Sequence, residues 1–141
     1  MTNVVTAYAK SSLDSKVFGE TPHGLVKLLL QKLCEKLSVA HELLTQKESN
    51  QNQVEITIKI ATALGVASDI VQALSDSLVK MDENELYDQL SYLYAHVQYQ
   101  ILMANMHQKP EPIVQSLTIA KNLLEAWESI PAELHHVTSR E

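Results

Sequence analysis

Apolar residues recur every three or four positions through most of this chain, and that spacing decides what it can fold into. Leu25, Leu29, Leu33, Leu37, Ala40 and Leu44 form one such row. At about 100° per residue they share one face of a helix. Leu28, Leu30, Val39 and Leu43 widen that face. Thr21-Pro22 reads as its start: a Thr hydroxyl can accept from the free N–H groups, and Pro suits the first helical position. The polar run from Lys47 to Gln53 ends it. A first helix is therefore expected from Pro22 to Gln46.

Val54, Ile56, Ile58 and Ile60 alternate with Glu55, Thr57 and Lys59, which is the period of a strand. A strand needs a partner, and no second strand-like run exists. Leu64, Ala67, Val71, Leu74, Leu78 and Met81 return to helical spacing. The second helix is expected from Gln53 to Met81. Gly65 falls in its middle at a cost of about 1 kcal/mol relative to Ala, which suggests a close helix crossing. A third helix is expected from Glu83 to Gln108, stopped by Pro110. A fourth is expected from Pro112 to Ile130, stopped by Pro131, with Ile113, Leu117, Ala120, Leu124 and Trp127 on its apolar face. Only 3 Gly and 4 Pro are present, too few for the many turns of a β-sandwich. Four long amphipathic helices with short links predict an all-α, antiparallel four-helix bundle. The 141 residues fit a single domain. Residues 1–20 read as an arm, 21–131 as the bundle and 132–141 as a short disordered tail.

Charge and motifs exclude several functions. The net charge is −6 and the only arginine is Arg140. Nucleic-acid recognition relies on clustered Lys and Arg, so no nucleic-acid partner is expected. The N-terminus has no basic segment followed by an apolar one, so no signal peptide is read. Gln89 to Gln108 carries no formal charge, but its Gln, Asn and His residues are too polar for a membrane span. A cytoplasmic protein is expected. A di-iron bundle needs two Glu-x-x-His motifs, and the chain has one, Glu133 to His136, in the tail. His135-His136 reads as a solvated pair. Met103, Met106 and His107 read as packing residues rather than axial ligands. Cys34 is a lone cysteine within the first helix, and a small, half-buried apolar role suits it. No phosphate loop or nucleophile elbow occurs. No catalytic residue, cofactor or metal is expected, and an enzyme or metal-binding bundle is the weaker alternative.

The third helix is unusual because it has two apolar stripes. Leu86, Leu90, Leu93, Val97, Ile101 and Ala104 form the expected core face. Tyr92, His96, Tyr99, Met103 and Met106 form another, roughly opposite. A bundle helix exposed on one side should be polar there. Spacing alone admits two readings: a helix covered on both sides, or a face open to a partner. Tyr and Met suit the second, since one is rigid and amphipathic and the other adapts to irregular surfaces.

The order of several short motifs resembles one known family. Ala7-Tyr8, then Thr21-Pro22-His23 and Leu25-Val26, resembles an Ala-Tyr arm running into Ser-Pro-His-x-Leu-Ile. Leu90-x-x-Leu93-Tyr94, Gln100 and Ala104-Asn105 resemble a Leu-x-x-Leu-Tyr…Ala-Asn block, and Trp127 follows at the matching distance. Together they resemble the FliS family of flagellar export chaperones across about residues 4 to 131. One departure is Leu30-Gln31-Lys32, where the family commonly has Tyr/Phe-Asp-Gly.

The resemblance implies a cytosolic chaperone that binds the C-terminal region of flagellin, prevents its premature polymerisation and delivers it to the flagellar type III export gate. It implies a flagellin-binding surface including Tyr92, Tyr94, Tyr99, Met103, Met106 and Trp127. It implies an arm, with Val5 and Tyr8, that covers part of this surface and then engages the cytoplasmic domain of the gate. Whether the free form dimerises by exchanging arms stays open. A helical adaptor for another secreted client is the other binding-module reading.

Overall fold

The computed structural model describes residues 22–49, 51–78 and 85–129. The expected arm and tail, and Met81, lie outside the described residues. Four helices follow one another: α1 (Pro22–Gln46), α2 (Gln53–Ser77), α3 (Glu85–His107) and α4 (Glu111–Glu128), with a 3-10 turn, Lys47–Ser49, after α1. No strand occurs among the described residues. α1 packs on α2 and α4, and α3 packs on α2 and α4. The short links make sequential neighbours antiparallel. The fold is an all-α, antiparallel four-helix bundle.

Local chemistry fixes the ends that matter. Asn52 caps α2: its side chain accepts from the Glu55 N–H at 3.2 Å, and its Nδ2 donates to Glu55 Oε1 at 2.8 Å. This is a reciprocal cap, with Glu three residues into the helix. α3 ends at Gln108, whose φ is 53°. A left-handed residue here lets the Lys109 N–H reach back to the Ala104 carbonyl at 3.3 Å. Gln108 is not glycine, and its side chain offsets part of the strain. Its Nε2 donates to the Asn105 carbonyl at 2.6 Å, and its Oε1 accepts from Lys47 Nζ at 2.7 Å. That last bond ties the C-terminal end of α3 to the end of α1.

The core draws on all four helices. Leu30, Leu33 and Leu37 of α1, Ile60, Leu64 and Ile70 of α2, Val97 of α3 and Ile113 of α4 are fully or almost fully buried. Each such side chain contributes roughly 1.5–3 kcal/mol by leaving water. The alternating segment is helical: Ile56 and Ile60, four apart, are buried, while Val54 and Ile58 are 73% and 60% exposed. Three expectations need correction. Val39, expected to widen the apolar face of α1, is 42% exposed. Leu86 is exposed rather than in the core, because it stands in the first turn of α3, ahead of Leu90, its first buried residue. Gly65 marks no close crossing: a Cβ placed there meets nothing within 4 Å.

Candidate functional site

The α3 stripe opposite the core is an open ridge. Tyr92 is 69% exposed, Tyr99 56%, Leu102 53% and Met106 61%. His96 and Met103 are half-buried beside them. Between Asp88 and Lys109 this helix carries no Asp, Glu, Lys or Arg. Among the described residues, ion pairs join Lys32 to Glu35 on α1 and Lys59 to Glu55 on α2. A chain with 20% charged residues thus leaves one exposed ridge uncharged and rich in Tyr, Met and Leu. Scattered exposed apolar residues are ordinary, whereas a contiguous run of them marks an interaction surface.

Two of the expected surface residues do not join the ridge. Tyr94 is 4% exposed and sits in the core with Leu90 and Ile101. Burial pushes its phenol up to about 12. Trp127 is half-buried and packs against the core from the last turns of α4, in line with Ile113 and Ala120. Helical spacing accounts for both, since Tyr94 follows Leu90 by one turn and Trp127 continues the α4 apolar row. Leu102 is a ridge residue that the sequence reading missed. It lies between the two stripes rather than on either. Val5 and Tyr8 lie outside the described residues.

The ridge is flanked by two seams of different chemistry. Toward α2, Ser68 Oγ donates to Gln98 Oε1 at 2.8 Å, and Gln98 Nε2 donates to the Ser68 carbonyl at 2.9 Å. This reciprocal pair pins the two helices together. Beside it runs a shallow cleft of about 390 Å³ lined by Ala61, Gly65, Leu102 and Asn105 among others. Toward α4, Gln100 Nε2 donates to Gln115 Oε1 at 3.1 Å and stands 3.2 Å from His96 Nε2. The Tyr92 ring stacks on His96, with centroids 6.3 Å apart and planes at 11°.

Cys34 is half-buried, and burial is the main cause that pushes its thiol up, with Glu128 adding to it and Lys121 opposing it. A raised thiol is a poorer nucleophile at neutral pH. Among the described residues no three His, Cys, Asp or Glu side chains group as metal ligands do. Among them, too, no helix is long and apolar enough to cross a membrane.

Residues 3–134 match the family model described as Flagellar protein FliS. The chain belongs to the FliS family. A relative from Vibrio cholerae serotype O1, the flagellar secretion chaperone FliS, is 30% identical over 141 residues, covering 100% of this chain and 98% of the relative. The Salmonella typhimurium protein of the same name is 26% identical over 137 residues, covering 96% of each. FliS is thus a family of secretion chaperones rather than of enzymes, and the four-helix bundle with its uncharged ridge is this member's version of it.

Proposed function

We propose that this protein is a cytosolic export chaperone that binds the C-terminal region of newly made flagellin. It keeps flagellin from polymerising early and delivers it to the export gate of the flagellar type III system. The observation that carries the reading is the charge-free ridge of α3, with Tyr92, Tyr99, Leu102 and Met106 exposed. A disordered client that folds along such a ridge buries its own apolar anchors, as amphipathic segments do in grooves. The bundle, residues 21–131, holds the client. The arm, residues 1–20, acts through Val5 and Tyr8 at the gate's cytoplasmic domain. Tyr94 and Trp127 support the ridge from below rather than touching the client.

Co-purification tests this reading. The tagged protein should retain full-length flagellin from a cell lysate and lose flagellin truncated at its C-terminus. Equal retention of both forms would contradict it.

A further inference from the structure

We propose that His96 makes client binding sensitive to protons: the α3 ridge holds its client while the His96 ring is neutral, and protonation of that ring weakens the hold. This rests on the chaperone reading above and adds to it a means of regulation at the same surface.

Three polar side chains set up two arrangements. His96 Nε2 lies 3.2 Å from Gln100 Nε2 and 3.3 Å from Gln115 Oε1. The first neighbour only donates and the second only accepts. A neutral ring with its proton on Nδ1 accepts from Gln100, and Gln100 also donates to Gln115 Oε1 at 3.1 Å. In that set each donor meets an acceptor. A protonated ring carries hydrogen on both nitrogens. Its Nε2 then donates to Gln115 Oε1, and the Gln100 amide, left pointing a donor at a donor, has to turn away. One proton therefore rearranges the α3–α4 seam. The α2 seam holds no titratable partner in its bonds: there Gln98 uses both ends of its amide on Ser68.

The place of the ring makes that proton matter. His96 is half-buried on a helix with no formal charge between Asp88 and Lys109. Tyr92 stacks on it, and Tyr99 follows on the same stripe. A segment that covers these two tyrosines also covers His96. Few groups stand near to balance a charged ring. On α3 the preceding carboxylate is Asp88, two turns away, and the next histidine is His107. On α4 the ionisable groups are Glu111, one turn before Gln115, and Lys121, Glu125 and Glu128 beyond it, all exposed. On α2, which meets α3 at Ser68, the adjacent one is Asp69. Among the described residues none of these forms an ion pair with His96. In the free protein water solvates an imidazolium. Under an apolar client that charge loses its water and gains no counter-charge, which is costly. Binding therefore favours the neutral ring and expels a proton where the ring was charged. Histidine changes charge between about pH 5 and 8, so affinity is full at the upper end and falls toward the lower.

Calorimetric titration of the full-length protein with a synthetic flagellin C-terminal peptide, repeated from about pH 8 down to about pH 5.5, tests this. One unit below the midpoint of a histidine's titration about a tenth of the rings stay neutral, so affinity should fall about tenfold across that range. In His96→Phe, which keeps a ring for Tyr92 to stack on, and in His96→Gln, the fall should be less than about twofold, because neither side chain titrates. His107→Gln should keep the wild-type fall. Wild-type titrations at about pH 6 in two buffers of different ionisation enthalpy should show protons released on binding, and those at about pH 8 should show none. A wild-type affinity that stays flat with pH, or a fall equal in wild type and both His96 variants, would overturn the proposal while leaving the chaperone reading standing. So would wild-type binding at the lower pH with no proton release. Failure of the wild-type protein to bind the peptide at the upper pH would overturn both.

Discussion

Replacing Tyr99 by Glu separates an open ridge from a covered one by magnitude. Tyr99 is 56% exposed, and its helix carries no charge between Asp88 and Lys109. A carboxylate there stays hydrated and meets no like charge on its own helix. Glu is also at least as good a helix former as Tyr. The free protein should change by about 1 kcal/mol or less, as exposed sites usually do. For a bundle of this size that is a melting shift of roughly 4 °C at most. Tyr94→Glu is the matched control. Tyr94 is 4% exposed, so the substitution buries an unpaired carboxylate at roughly 3–5 kcal/mol, a large share of a typical stability of about 5–15 kcal/mol. Circular dichroism melts should therefore show Tyr99→Glu folded and Tyr94→Glu largely unfolded. A titration with the flagellin C-terminal peptide should show at least a tenfold loss for Tyr99→Glu, which is about 1.4 kcal/mol. An unfolded Tyr99→Glu protein would return the ridge to the core. A folded one with unchanged affinity would place the client elsewhere.

Three further outcomes are expected. Gly65→Ala should stabilise the free protein by about 1 kcal/mol in a denaturant melt, because the added Cβ meets nothing within 4 Å; Ser116→Ala should do so by a similar amount, since the Ser116 hydroxyl is buried with no hydrogen-bond partner among the described residues. Tyr94 ionises at about 12 in the fold against 10.0 when free. The folded state therefore holds that proton longer, and stability should fall as pH rises from 10 toward 12, a loss that Tyr94→Phe should reduce in alkaline denaturation curves. The double variant Val5→Ala with Tyr8→Ala should melt close to wild type and still bind flagellin, yet fail to dock to the export gate domain in a pull-down. A large drop in melting temperature with docking intact would make Tyr8 a plug of the bundle instead.

Most of the fold was legible because helical periodicity survives in each segment. The rows Leu29–Leu33–Leu37 and Ala67–Val71–Leu74 are buried as their spacing requires. Residues 54–60 carry a strand-like alternation, yet the expected helix is what forms: only Ile56 and Ile60 face inward, and a four-residue step is as helical as it is extended. The site was legible in outline. Tyr92, Tyr99 and Met106 form an exposed stripe, although periodicity alone could not separate exposure from burial on both sides. Tyr94 was assigned to the surface through family resemblance, while its spacing from Leu90 already placed it in the core. The pairing of Gln100 with Gln115 was not legible, because it joins two helices and depends on the rotation of each about its own axis.

Calorimetric titration of the full-length protein with the C-terminal region of its own flagellin tests the central claim most directly. The account predicts one-to-one binding, a negative heat-capacity change and a gain in helicity as the disordered client folds on the ridge. Absence of binding at about tens of micromolar, weaker than roughly −6 to −7 kcal/mol, would contradict it.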